Sequence, residues 1–177
     1  MAVGSWPDGP LPRLGNVLMA LLIRGKTKCS LCGEVISDGD EVISFGPFVS
    51  NRRDPLLRYS DRSFHAAHFW RQPDAEKAMA RWNEVRNRSA PQERRCAVCR
   101  ALIEKPDEYF AIGFLSEKGP AAEFNYTQLH RGQIGSWTRL DQAIEAIRAL
   151  KAGSDWEGPG LDWTLKTLED AQKSQLN

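Results

Sequence analysis

The chain has 177 residues, and its 24 lysines and arginines nearly balance its 23 aspartates and glutamates, so its formal net charge is +1 at pH 7. This balance lacks the large basic excess that is typical of dedicated nucleic-acid-binding proteins. The strongest apolar run covers only residues 17–23, which is too short for a membrane span and has no cleavage site after it, so a signal peptide is only a minor alternative. The four cysteines form two Cys-x-x-Cys pairs, which are more typical of metal sites in a reducing compartment than of disulfides, so a cytoplasmic protein is predicted.

The first part of the chain, residues 1–18, is rich in Gly and Pro and shows no hydrophobic periodicity. It is predicted to be a disordered tail, and Met19 is an alternative start of the protein. A short strand is predicted over residues 18–24. A further strand is predicted over residues 41–48, which are rich in Val, Ile and Phe and follow the turn signal Ser-Asp-Gly-Asp at residues 37–40.

Two cysteines and two histidines in this region have the spacing of metal ligands. Cys29 and Cys32 are separated by two residues, as are His65 and His68. Thiolate sulfur and imidazole nitrogen are the ligands that zinc prefers, and four of them complete a tetrahedron. These residues are therefore predicted to form one zinc site. A redox cysteine pair is the alternative, but it would start a helix, whereas hairpin signals follow this pair.

A helix is predicted directly after the histidine pair. Asp74 follows a proline and is a suitable N-cap residue, and the next apolar residues recur at intervals of three and four, which gives one apolar face. This face consists of Ala75, Ala78, Met79, Trp82 and Val85.

The second half of the chain repeats this pattern. Cys96 and Cys99 follow the first cysteine pair at a shift of 67 residues (29 to 96), and His130 follows the first histidine at a shift of 65 (65 to 130). The apolar periodicity of the helix recurs over residues 140–150. An internal duplication is therefore predicted, because unrelated cysteine pairs would not share a hydrophobic pattern over such a length.

The second ligand set is incomplete, because Gln133 takes the position that corresponds to His68. Three interpretations remain open: a fourth ligand from elsewhere, an open three-ligand site that holds water, or a module that packs without metal. An open position is what catalytic zinc requires. However, the zinc deaminases place a His-x-Glu before their cysteine pair, whereas His130 follows its pair and no such Glu adjoins it.

The remaining segments define the predicted organisation. Residues 87–94 interrupt the periodicity and form the predicted boundary between the copies, and a final helix is predicted over residues 161–173. The predicted units are a disordered tail (1–18), a first zinc module (19–88), a second zinc module with a degenerate site (89–152), and a C-terminal loop with a short helix (153–177).

The first ligand set resembles a treble-clef zinc finger, in which a knuckle and hairpin supply one ligand pair and the start of a helix supplies the other. Cys29-Ser-Leu-Cys32-Gly33 is similar to the knuckle of this family, and His65-Ala-Ala-His68 is similar to the helical pair of its Cys/His members, such as LIM-type fingers. The resemblance covers residues 27–86 and, more weakly, 94–151. It implies an α+β fold of two small tandem zinc modules, each with β-hairpins and a helix.

Treble clefs also include the His-Asn-His (HNH) nucleases, which need histidines beyond those that bind structural metal. His65 and His68 are the only histidines in the first half, and both belong to the predicted zinc site, so no complete catalytic set is found. The sequence therefore predicts a non-catalytic zinc-binding protein that binds another macromolecule, with a protein as the preferred partner, for example as a bacterial adaptor or immunity-type protein.

The alternative function is a nucleic-acid-binding protein or a divergent HNH-like nuclease relative. It depends on arginines in the first loop and in the linker: Arg52, Arg53, Arg58, Arg62, Arg94 and Arg95.

Six tryptophans are many for this length. Trp70, Trp82 and Trp137 are predicted to belong to the module cores. Trp156 and Trp163, flanked by Gly, Pro and Asp, are predicted either to pack the C-terminal segment onto the second module or to form a protein-binding edge.

Overall fold

The computed structural model describes residues 22–174. The predicted tail and most of the predicted strand 18–24 lie outside these residues, and the described end of that strand, residues 22–24, is irregular. The described chain forms a small α+β structure with two antiparallel hairpins and four α-helices. The elements are β1 (Val42–Ser44), β2 (Ser63–His65), α1 (Ala66–Trp70), α2 (Ala75–Ser89), β3 (Tyr109–Ala111), β4 (Gln128–His130), α3 (Leu140–Ala152) and α4 (Gly160–Lys173).

Each half of the described chain contains one hairpin. In the first half Val42 of β1 pairs with His65 of β2, and in the second half Tyr109 of β3 pairs with His130 of β4. The strand predicted over residues 41–48 was too long, since β1 ends at residue 44. Pro47 explains this early end, because proline has no N–H to donate to a strand ladder.

The three long helices lie where the sequence predicts them, since α2 and α3 begin at the predicted residues and α4 begins one residue early. Asp74 occupies the N-cap position of α2, as predicted, but not with the expected side-chain contact. Its side chain makes no capping hydrogen bond to α2 and instead accepts hydrogen bonds from the Tyr59 hydroxyl and the Arg58 guanidinium. No helix within residues 22–174 is both long and apolar enough to cross a membrane.

Each half has its own hydrophobic core. The first core is aromatic: the Phe45 ring lies 5.2 Å from the Phe69 ring and 6.1 Å from that of Trp82, centroid to centroid. The second core is mainly aliphatic and includes residues of α4, among them Leu161 and Leu168. Aromatic pairs at these distances contribute about 0.5–1.5 kcal/mol each beyond their burial.

Of the tryptophans predicted to be in the cores, Trp82 and Trp137 are buried, but Trp70 is 38% exposed. The prediction for Trp70 failed because α1 ends at this residue, and its neighbour Phe69 takes the core position. Trp156 is buried in the second core, as expected if it packs the C-terminal segment onto that half. Trp163 is 53% exposed and lies over Phe110, with the ring centroids 5.6 Å apart.

The backbone hydrogen bonds of one half recur in the other half. The N–H of Ser30 donates to Ser63 O, and the N–H of Ala97 donates to Gln128 O. Further along, single side chains cap corresponding loops: the Ser60 hydroxyl accepts from the N–H groups of residues 48 and 49, and the Asn125 amide oxygen accepts from those of residues 115 and 116.

The two halves contact each other at several places, and two of these involve loops of the second half. At the first, α2 meets the loop after β3, where Arg81 and Lys77 both pair with Glu117. At the second, the Asn51 side chain donates to Asp155 O at 2.8 Å and accepts from the Glu157 N–H at 3.0 Å. The predicted boundary at residues 87–94 is partly helical, since α2 continues to residue 89 and a short 3₁₀ turn follows at residues 91–93.

Candidate metal centres

The first cysteine pair lies in a tight turn. The Cys29 N–H donates to Glu34 O, and the Gly33 N–H donates to Cys29 O, both at 2.8 Å. Gly33 has a φ angle of 79°, in the left-handed region that glycine adopts without the steric cost of a Cβ atom. The turn leaves Cys29 buried and Cys32 exposed, and both thiols are free.

The histidine pair lies where β2 passes into α1. His65 is the last residue of β2, with φ −60° and ψ 131°, and His68 is the third residue of α1. The knuckle is joined to β2 by the Ser30–Ser63 hydrogen bond and by the His65 N–H, which donates to Cys29 Sγ at 3.4 Å. The strand-to-helix transition therefore holds both imidazoles against the cysteine turn.

The four candidate ligands of this first centre come together as predicted. One ligand atom from each of Cys29, Cys32, His65 and His68 lies within 4.8 Å of all the others. Cys32 Sγ is 3.5 Å from His65 Nδ1, and Cys29 Sγ is 4.0 Å from His68 Nδ1. Ideal tetrahedral zinc with two sulfurs and two nitrogens separates its ligand atoms by about 3.4–3.8 Å. The residues therefore fit a tetrahedral metal ion after small side-chain adjustments.

Asp40 supports this centre from outside the ligand set. Its Oδ2 atom lies 3.3 Å from His65 Nε2, the ring nitrogen that does not face Cys32. Asp40 Oδ2 also accepts the Ser37 N–H at 2.6 Å. The Ser37 hydrogen bond outweighs partial burial, and with the nearby His65 it holds the pKa of Asp40 below its usual value. A carboxylate on the outer nitrogen of a ligating histidine fixes the ring orientation and raises its basicity.

The buried thiol of the first centre is poised to ionise. Burial alone would raise the pKa of Cys29, but the backbone N–H groups of Cys32, Leu31 and His65 donate to its sulfur and lower the pKa to about 6. The Glu34 N–H lowers the pKa of Cys32, but desolvation and the nearby Cys29 sulfur outweigh it, so the pKa is raised. Because only thiolates bind metal, the Cys29 sulfur is in its binding form at neutral pH.

A second centre occupies the corresponding place in the second half. One ligand atom from each of Cys96, Cys99 and His130 lies within 4.8 Å of the others, and Cys99 Sγ is 3.6 Å from His130 Nδ1. Burial would raise the pKa of Cys96, but backbone N–H groups, those of Cys99 and His130 foremost, lower it to about 7. Arg100, with φ 63°, takes the left-handed position that Gly33 takes in the first turn.

Gln133 completes the surroundings of the second centre. Its Oε1 atom lies 3.2 Å from Cys96 Sγ. The residue of the second half that corresponds to His68 therefore also reaches its cluster of candidate ligands. Within residues 22–174, these two are the only groups of three or more Cys, His, Asp or Glu side chains with metal-binding geometry. Together they take in all four cysteines and all three histidines of the chain.

Three of the six arginines on which the nucleic-acid alternative depends are engaged within the protein. Arg53 pairs with Glu157 and donates to a backbone carbonyl of the second half. Arg58 binds Asp74, and the Arg94 guanidinium donates to a carbonyl at the end of α2 and lies over the Tyr109 ring. Cations in such contacts are less available for phosphates.

Exposed apolar side chains surround the first centre. Ile23, Leu31 and Val35 are all more than a third exposed. Leu31 lies between the two cysteines of the knuckle, and Val35 pairs across it with Lys28. The first knuckle therefore carries exposed apolar side chains, Leu31 and Val35, among exposed polar ones.

No protein-family model, curated protein or solved structure matches the chain. The candidate site is thus described by its own geometry. Sequence reasoning did not find the role of Asp40, because this role depends on the register of β1 with β2, which pairs Val42 with His65 and so brings Asp40, two residues earlier, to the histidine ring.

Proposed function

We propose that this chain is a zinc-binding protein made of two tandem treble-clef-like modules that arose by internal duplication, and that it acts by binding another protein. The observation that carries the proposal is the convergence of Cys29, Cys32, His65 and His68 within 4.8 Å of one another. The recurrence of the same hydrogen bonds in both halves supports a duplicated origin.

Zinc is the metal that this donor set favours. Two thiolates and two imidazoles in a closed tetrahedral arrangement are typical of structural zinc, whereas calcium and magnesium prefer oxygen ligands. With all four positions of the first centre filled by protein, no position is left for a substrate or an activated water. The first centre is therefore proposed to be structural.

Bound zinc would join three separate segments of the first half: the knuckle, the end of β2 and the start of α1. Structural zinc provides about 10–16 kcal/mol of apparent binding free energy, which matches the roughly 5–15 kcal/mol total stability of ordinary domains. Each half alone is small, and domains of that size are only marginally stable on hydrophobic burial alone. Zinc is thus proposed to decide whether the first half folds.

The interaction role is supported by the exposed apolar side chains Leu31 and Val35 on and beside the first knuckle. Exposed apolar side chains that are grouped on a metal-fixed turn favour a protein partner, because they gain by burial against another apolar surface. The near-neutral charge and the engaged arginines disfavour the nucleic-acid alternative.

Metal content tests the metal part of the proposal. Protein purified without chelator is expected to contain zinc by elemental mass spectrometry, and Cys29→Ser should remove one equivalent and unfold the first half. Cys32 is exposed, so Cys32→Ser tests the same ligand set with less disturbance of the core. Full metal content in both variants would refute the assignment.

The partner class is tested separately. A Leu31→Ser/Val35→Ser double variant should retain its zinc but lose a captured protein partner, while Trp163→Ser, which changes an exposed apolar residue of the other half, should keep it. Binding of the zinc-loaded protein to labelled DNA and RNA is measured at 50 mM and 200 mM salt. Strong binding that weakens steeply with salt would favour the nucleic-acid alternative instead.

A further inference from the structure

The second centre has an unusual fourth neighbour. Cys96, Cys99 and His130 supply three ligand atoms, and the amide oxygen of Gln133 lies 3.2 Å from one of them, Cys96 Sγ. In the first centre the equivalent neighbour of the buried cysteine is His68 Nδ1, at 4.0 Å. Gln133 therefore makes the contact that a ligand makes in the complete centre.

The backbone gives both residues the same starting position. His65 and His130 have nearly the same conformation, with φ and ψ of −60° and 131° in one and −64° and 132° in the other. His68 is the third residue of the helix that follows the first histidine, and Gln133 is the third residue of the 3₁₀ turn that follows the second.

The glutamine side chain is long enough to take the place of histidine at this position. Glutamine carries its oxygen one bond farther from Cβ than histidine carries Nδ1, so it reaches a metal at this point from the same backbone position. Gln133 is only partly exposed, and the Ser136 hydroxyl donates to its backbone oxygen at 3.0 Å, which holds the turn in place. The geometry thus presents the amide oxygen to the cluster.

We propose that Gln133 is the fourth ligand of the second centre, which makes it a Cys₂-His-Gln zinc site, and that this site exchanges its metal more readily than the first. The inference rests on the proposed zinc-binding function. Two thiolates balance the charge of the zinc ion in both centres, so the centres differ in the fourth ligand and in Asp40, which lies against His65 of the first centre. A neutral amide oxygen is a poorer zinc ligand than imidazole nitrogen, because zinc prefers nitrogen and sulfur donors.

A reciprocal exchange of the two residues tests the inference. Gln133→His should tighten zinc binding at the second centre, and His68→Gln should weaken it at the first. Gln133→Leu, which keeps the bulk and removes the oxygen, should weaken the second centre. Gln142→His, which adds a histidine on the exposed side of α3, serves as the matched control. Each full-length protein is titrated with Zn²⁺ against a chromophoric chelator, and the two sites are resolved as separate equivalents.

The expected change is about tenfold to 100-fold in each case, at least as large as the effect of losing an outer partner of a zinc ligand. Substitution with Co²⁺ gives an independent readout: Gln133→His should shift the visible ligand-field bands to shorter wavelength, because an imidazole replaces an oxygen ligand. If His68→Gln fails to fold, Gln133→His and Gln133→Leu still decide the question.

The outcomes separate the two levels of the proposal. Second-site affinity that is equal in wild type, Gln133→Leu and Gln133→His overturns Gln133 as a ligand. A single zinc equivalent in the wild type also overturns it, while the proposed function stands on the first centre. No bound zinc at all overturns both.

Discussion

Arg81 offers the sharpest test of how the two halves are held together. This residue of α2 is only 8% exposed, and its guanidinium lies 3.3 Å above the centre of the Phe114 ring in the second half. It also lies 3.1 Å from Glu117 and 3.7 Å from Asp54. A buried cation is thus shared between both halves, and its Nη1 atom has no hydrogen-bond partner.

The expected cost of Arg81→Ala follows from these contacts. Asp54 is 14% exposed in its side chain and would lose a buried counter-charge, and removing one partner of a buried pair costs about 3–5 kcal/mol. A desolvated cation–π contact contributes about 2 kcal/mol of stabilisation, which is lost in the same variant. The contact with Glu117 adds little, because that carboxylate is more than half exposed. Arg81→Ala also removes the buried Nη1 donor that has no partner, whose burial costs the native protein about 1–3 kcal/mol, and this relief offsets the lost cation–π contact. We therefore expect the free energy of unfolding to fall by about 3–5 kcal/mol.

The assay is urea unfolding of the zinc-loaded protein, followed by tryptophan fluorescence and by circular dichroism. Arg71→Ala, which removes an exposed arginine just after α1, should change stability by no more than about 0.5 kcal/mol. A double-mutant cycle with Phe114→Leu isolates the ring contact. A loss below about 1 kcal/mol in Arg81→Ala would mean that the buried guanidinium behaves like a surface charge, and the reasoning would be wrong.

Three further changes test the metal centres. Asp40→Asn should weaken zinc binding at the first centre about tenfold to 100-fold in chelator competition without unfolding the protein, and unchanged affinity would remove Asp40 from the site. Gly33→Ala should lower stability in urea by about 1–2 kcal/mol because of its positive φ, whereas Arg100→Gly should not lower it; equal losses would contradict this reading of the two turns. On acidification the second centre should release zinc first, because protons compete with zinc for the thiolates and the metal-free Cys96 thiol, with a pKa of about 7, takes up a proton more readily than the Cys29 thiol, with a pKa of about 6. Release in the opposite order, measured with a metal-sensitive dye, would contradict this expectation.

The candidate ligands could be predicted from the sequence because their signal is local. Two residues between Cys29 and Cys32 force a shared turn, and the same spacing in His65 and His68 brings two imidazoles to one side of a chain reversal. The helices could be predicted for the same reason, since the recurrence of apolar residues at intervals of three and four depends on one segment alone.

The contacts that were missed depend on how distant segments meet. Asp40 reaches His65 only through the register of β1 with β2, which the sequence does not specify. Arg81 lies outside the apolar face of α2, so the sequence predicts that it is exposed. Its side chain becomes buried because the second half of the chain packs against this side of the helix. The prediction that Trp70 is buried was wrong because α1 ends at this residue. The sequence of adjacent aromatic residues, Phe69 and Trp70, does not show which of the two rings enters the core.

The two halves combine metal ligands and hydrophobic core in different proportions. The first half has the complete ligand set, and its core contains only residues of its own hairpin, loops and helices. The second half has three strong ligands and a weaker fourth neighbour, but its core gains Trp156, Leu161 and Leu168 from the segment after α3. A fully buried leucine contributes about 1.5–3 kcal/mol, so this addition offsets much of the stability that a poorer zinc ligand fails to provide. The C-terminal helix therefore gives a physical reason why a glutamine is tolerated in the second centre. A small module without such a helix would need the stronger histidine ligand for its stability.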